Sequence, residues 1–266
     1  MPFADVNGIR LHYEREGTGI PVVLVTGLIG CTSFWAKTVP MLTDSFDVIT
    51  LDNRGSGTTE YEGEFAMSDL ADDIAALIDH LRLGSAHILG WSMGSHIALN
   101  LAARHPDRVR SLTLVSSYLK RPARSAYILN ALASAYGRGE VSADLVGMTM
   151  NTLLRTSGYF ECAEKQGKML NHPHPGAANN MSDQMRAVDG YIPSEDAALV
   201  HVPTLSVHGL EDIMTEPVCG DELAAMIPGC RKLRVPGEGH ILRPQTYIPA
   251  FREFAVENNG NKPGRE

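Results

Sequence analysis

The chain is 266 residues long with 44% hydrophobic residues, enough for one large core with an insertion and unlike the composition of a disordered segment. Acidic residues outnumber basic ones by 31 to 23, a formal charge of −8, and no run of Lys or Arg could track a phosphate backbone, which argues against nucleic acid as a partner. No stretch approaches the roughly 18 consecutive apolar residues that span a bilayer, and residues 1–8 lack the basic and apolar regions of a signal peptide, so a cytoplasmic protein with no membrane partner is expected.

In chain order, residues 9–15 alternate in polarity as a strand does, and the apolar run 21–25 ends at Thr26-Gly27 as a buried central strand would. A further strand over 46–51 feeds the loop Asp52-Asn53-Arg54-Gly55-Ser56-Gly57. Residues 68–81 place Leu70, Ile74, Leu77, Ile78 and Leu81 on one helical stripe, with Ser68 as the expected N-cap. A strand over 86–90, a helix over 97–104 and a strand over 109–115 follow. Such alternation predicts a parallel sheet with helices on both faces.

From 118 to 198 the alternation stops. Helix-like stretches with Leu, Met and Tyr, broken at Gly137, Gly158 and Pro173 to Gly176, predict a helical cap, leaving 1–117 and 199–266 as the core. The core pattern resumes with a strand over 204–209, a helix over 222–227, a strand over 232–235 and a helix over 245–257. The polar tail 258–266 is expected to fray.

Gly90-Trp91-Ser92-Met93-Gly94 is a G-x-S-x-G between a predicted strand and a predicted helix, the setting of a nucleophile elbow. A serine hydroxyl needs a base, and the base needs an acceptor that fixes its tautomer. Of ten histidines, His240 alone follows a late strand on a glycine-containing loop, Pro236-Gly237-Glu238-Gly239-His240. Asp212 emerges just past the strand 204–209 and is the expected acid, with Glu211 and Glu216 as rivals. His208 and His96 are expected to be structural, since neither sits on a flexible loop with an acid partner. Oxyanion donors are expected from the N–H groups of Met93 and of Leu28, the latter in the loop Thr26-Gly27-Leu28-Ile29-Gly30. Trp91 and Ile29, beside these groups, are the expected substrate contacts.

No metal site is expected. Cys31, Cys162, Cys219 and Cys230 form no C-x-x-C pair, and the two His-Pro steps at 172–175 have no helical i, i+4 spacing.

Taken together, Gly27-Leu28 with Trp35 downstream, Asp52 to Gly57, Gly90 to Gly94, His105-Pro106-Asp107-Arg108-Val109, Val202-Pro203-Thr204 through Gly209 to Asp212, and Gly239-His240 resemble the α/β-hydrolase superfamily. The likeness covers nearly the whole chain and is greatest to its small esterase, enol-lactonase and non-haem haloperoxidase-like members. It implies an eight-stranded, mostly parallel sheet, a helical cap between strands six and seven, no cofactor, and Ser92, Asp212 and His240 as a triad. The chain departs from the pattern at Thr26, where many members carry His before the oxyanion glycine. Serine at position 92 argues against the branches that use a carboxylate nucleophile.

The expected activity is cleavage of a carboxylic ester or lactone of a small molecule through an acyl-enzyme on Ser92. No pair of arginines stands out as a carboxylate clamp, which favours an uncharged or mainly apolar substrate. Thioester or carbon–carbon bond hydrolysis, non-hydrolytic lyase or cyclase chemistry, and ligand binding without turnover remain open on the same residues. A homo-oligomer is compatible with the sequence.

Overall fold

The computed structural model describes residues 2–161 and 181–260. Its eight strands are β1 (Phe3–Val6), β2 (Ile9–Glu16), β3 (Ile20–Val25), β4 (Phe46–Leu51), β5 (Ala86–Trp91), β6 (Val109–Val115), β7 (Thr204–Gly209) and β8 (Arg231–Val235). They form one sheet in the order β1-β2-β4-β3-β5-β6-β7-β8, with β1–β2 and β2–β4 antiparallel and every other pair parallel. This is the eight-stranded, mostly parallel sheet expected. In β4, β5 and β7 every residue is buried, because helices cover both faces and the strands are apolar or internally bonded throughout.

Two apolar clusters sandwich the sheet, and alternate residues of β3 serve each: Val23 and Val25 point into one, Val22 and Leu24 into the other. On the first side lie α1 (Met67–His80), α2 (Met93–Arg104) and α8 (Pro217–Met226). The second side packs Tyr247, Ile248, Phe251 and Phe254 of α9 (Pro244–Glu257) against Trp35 and Phe46. Between β6 and β7 the chain leaves the sheet for α3 (Ala123–Gly137), α4 (Ala143–Leu154), α5 (Ser157–Phe160), α6 (Met181–Asp189) and α7 (Pro193–Ala197). No described helix is long and apolar enough to cross a membrane.

Several local expectations need correction. β1 is absent from the strands read in the sequence; its signal is Asn7-Gly8, with φ of 47° and 74°, the pair that a two-residue hairpin turn demands. Ser68 is not the N-cap of α1. The helix begins one residue earlier, and the Asp69 carboxylate accepts from the Ala66 N–H at 2.8 Å. α2 starts at Met93, not at 97, because the elbow turns directly into it, and α8 starts at Pro217, whose ring suits a first helical turn. Gly158 lies inside α5, and the break falls instead at Arg155-Thr156. The expected break at Pro173 to Gly176, with His172 and His174, lies outside the described residues, as do Cys162 and residues 261–266 of the tail.

Candidate active site

The loops that follow β3, β5, β6, β7 and β8 gather at the carboxyl edge of the parallel strands, where open α/β sheets place their binding crevices. Ser92 sits between the last residue of β5 and the first of α2 with φ 56° and ψ −122°, a backbone conformation that a non-glycine residue holds only under surrounding constraint. Gly90 and Gly94 make that turn feasible. A Cβ on Gly90 would lie 2.2 Å from the Gly94 carbonyl oxygen, and one on Gly94 would lie 2.2 Å from the Val25 oxygen.

The loops bring together all three groups expected from the sequence. With its proton on Nδ1, His240 donates to Asp212 Oδ2 at 2.8 Å and accepts from the Ser92 hydroxyl at 2.8 Å on Nε2. Asp212 is buried, and its Oδ1 accepts from the N–H groups of Met214 and Thr215 at 2.8 and 2.9 Å. Thr215 Oγ1 adds a bond to Oδ2 at 2.9 Å. Burial alone would raise the Asp212 pKa, but the charge of His240 and the hydrogen bonds of His208 and His240 outweigh it and hold the carboxyl well below the usual carboxylate range. The rivals are placed elsewhere: Glu211 is exposed, and Glu216 pairs with Arg124 at 2.6 Å.

His208 differs from its expectation. It is fully buried, donates from Nε2 to the Thr215 carbonyl at 2.7 Å, and lies 3.2 Å from Asp212 Oδ2, so it does have an acid partner. His96 is packed in the core with Nε2 donating to the Tyr118 carbonyl at 2.9 Å, and burial lowers its pKa to about 4.

Met93 opens α2, so its N–H has no acceptor within the helix. Among the described residues the Leu28 N–H likewise has no hydrogen-bond partner, and both residues line the cavity beside Ser92 and His240. The Thr26 hydroxyl donates to the Gly30 carbonyl at 3.1 Å and closes the loop that carries Leu28.

Trp91 and Ile29, the expected substrate contacts, do not line that cavity. The Trp91 indole N–H donates to the His240 carbonyl at 2.8 Å, and its ring stacks on Phe34 at 4.3 Å, so it supports the His240 loop. Ser116 Oγ donates to the same carbonyl at 2.8 Å. Ile29, at φ 53°, spends its N–H on Gln184 Oε1 at 2.7 Å.

Gln184 was not singled out by sequence reasoning. It is fully buried on α6, and its Nε2 donates to the Arg54 carbonyl and to Ser56 Oγ, both at 2.8 Å. One amide thus ties a helix between β6 and β7 to the Leu28 loop and to the loop after β4. Nothing local marks it; a polar residue on the buried side of a short amphipathic helix is the only available hint.

The cavity itself is narrow, walled by Leu28, Met93, Leu129, Met185, Val188 and Met214 with Tyr118, Arg121, Ser125 and Thr215. Among the described residues no group of three His, Cys, Asp or Glu side chains is arranged to hold a metal ion.

A hydroxyl, an imidazole and a carboxylate held in line at the strand ends of a mostly parallel sheet define a class of fold that has many relatives. The chain belongs to the alpha/beta hydrolase fold family, whose model matches residues 20–243. It is 29% identical over 251 residues to a protein of Azorhizobium caulinodans provisionally named carbamate hydrolase RutD, an alignment covering 90% of this chain and 91% of that one. Among solved structures it resembles a thermophilic esterase from Thermogutta terrifontis, with TM-score 0.83, 25% identity and coverage of 97% and 100% of the two chains. It also resembles the enol-lactonase from Burkholderia xenovorans LB400, with TM-score 0.75, 26% identity and coverage of 96% and 98%.

Proposed function

We propose that the protein is a serine hydrolase that cleaves a carboxylic ester or lactone of a small, mainly apolar molecule through an acyl-enzyme on Ser92. The observation that carries this reading is the unbroken line from Ser92 Oγ through His240 to Asp212, at 2.8 Å in each link, opening on an apolar cavity. His240 takes the hydroxyl proton as Ser92 attacks the carbonyl carbon, and returns it to the leaving oxygen as the acyl-enzyme forms. Asp212, held ionised by its neighbours, fixes the imidazole tautomer and stabilises the imidazolium. The N–H groups of Leu28 and Met93 receive the negative charge that develops on the carbonyl oxygen. Water, deprotonated by His240, then releases the acid and restores Ser92.

Residues 118–198 act in this reading as the cap, and α3 and α6 supply Ser125, Leu129, Met185 and Val188 to the cavity wall. The esterase and enol-lactonase likenesses support ester and lactone substrates, and the carbamate hydrolase relative adds carbamates to those worth assaying. The test is turnover of aryl esters, lactones, thioesters and aryl carbamates by wild type and Ser92→Ala, with fluorophosphonate labelling of both. Turnover and labelling that both disappear in Ser92→Ala support the reading. Turnover that survives in Ser92→Ala, or absence of labelling in wild type, rejects it.

A further inference from the structure

Arg121 lies between β6 and α3 and lines the same cavity as Ser92 and His240. Its side chain is 15% exposed. A guanidinium presents its N–H donors as a planar fork, and among the described residues only one arm finds an acceptor. Nη2 donates to the Asp189 carboxylate at the end of α6, whereas Nη1 is buried and has no hydrogen-bond partner among the described residues. A buried donor on a cation is costly to leave unpaired, so an acceptor is missing from this position.

The surroundings say what kind of acceptor fits. Arg121 is the one Lys or Arg among the described residues that line the cavity, and most of its neighbours there are apolar. α3 begins two residues later, and Ser125 of its first turn lines the same wall, so the positive end of the helix dipole adds to the guanidinium field. Ser125 Oγ is already committed to the Met214 carbonyl. An anion of planar, forked geometry satisfies an arginine arm best, and a carboxylate is the one compatible with a narrow, mainly apolar cavity.

We propose that the free arm of Arg121 anchors a carboxylate on the substrate, so that the enzyme acts on esters or lactones with an apolar body and a free acid away from the scissile carbonyl. This deepens, and rests on, the serine-hydrolase reading. A single arginine placed by tertiary structure does what the sequence offered no arginine pair to do.

The experiment compares the 4-nitrophenyl monoesters of succinic, glutaric and adipic acids with their methyl 4-nitrophenyl diesters, which differ only in the charged end. Wild type is expected to favour the best acid over its neutral diester by about 10- to 100-fold in kcat/KM, the worth of one charge-assisted contact. Arg121→Met should collapse that ratio towards unity, while Asp189→Asn, which breaks the same ion pair but keeps the cation, should retain it. Calorimetry of monomethyl and dimethyl glutarate binding to the Ser92→Ala protein reads the anchor without turnover, with the acid bound more tightly and the difference lost on adding Arg121→Met. Equal handling of acid and diester by wild type, or a preference that persists in Arg121→Met, overturns the proposal. Failure of fluorophosphonate to label Ser92 counts against the hydrolase reading alone, since the binding comparison stands apart from it.

Discussion

Asp212 accepts hydrogen bonds from two backbone amides, from Thr215 Oγ1 and from His240, and all of these favour its ionised form. Replacing it with Asn keeps the shape but supplies an N–H where His240 needs an acceptor, so the imidazole loses the tautomer that can take the Ser92 proton. Asp212→Asn is therefore expected to lower kcat by about 10³- to 10⁴-fold, the scale seen for the same change in a Ser-His-Asp triad, and stopped-flow hydrolysis of an aryl ester measures it. A loss of less than about tenfold would remove Asp212 from the role proposed. The sequence made this residue legible through its position just past β7. His208, 3.2 Å from the same carboxylate, was not legible as its neighbour because β7 and the following turn had to fold back on each other first.

At the scale of elements, α6 and the loop after β3 meet through Gln184 alone among their described hydrogen bonds, with Ile29 as its backbone donor. Gln184→Leu leaves the Ile29 N–H, the Arg54 carbonyl and the Ser56 hydroxyl without this partner, so we expect a loss of about 2–4 kcal/mol in urea unfolding. The loop carrying Leu28 should also loosen, lowering kcat while Ser92 still reacts with fluorophosphonate; unchanged kcat in a folded variant would show that the amide only secures the helix. The β1–β2 hairpin offers a contrasting case far from the site. Gly8 at φ 74° has open space around it, so Gly8→Ala should cost only the strained backbone, about 1 kcal/mol, with activity unchanged. These two elements differ in legibility for a physical reason: the Asn7-Gly8 signal is local, whereas Gln184 acts on a partner 155 residues away in the chain.

For the whole molecule, His87 and His96 are buried within or against the sheet, and burial lowers each pKa from 6.5 to about 4. The unfolded chain binds protons at these positions that the folded one refuses, so their contribution is present above pH 6.5 and is lost as the pH falls towards 4. Each can account for up to about 3 kcal/mol, and Asp212, whose folded pKa is depressed, adds a further loss below the ordinary carboxylate range. Urea midpoints should fall steeply between pH 7 and pH 4, and a His96→Gln variant, which cannot titrate, should show a flatter profile. A wild-type midpoint independent of pH over that range would contradict the burial argument.

What the amino-acid sequence determined by itself was the order of the core strands and helices from β2 onwards, the elbow at Ser92 and the positions of His240 and Asp212 at strand ends. Each rests on residues close together in the chain: Gly90 and Gly94 around Ser92, a strand before each loop, an apolar run bounded by turn residues. Only the tertiary structure decided which groups support them. Trp91 and Ser116 reach the His240 carbonyl across 149 and 124 residues, Gln184 takes the Ile29 N–H, and Arg121, which lines the cavity, keeps Nη1 unpaired among the described residues. Side-chain chemistry at these positions is common to many surface and core residues, and its meaning comes from the partner that folding delivers or, for Arg121, withholds.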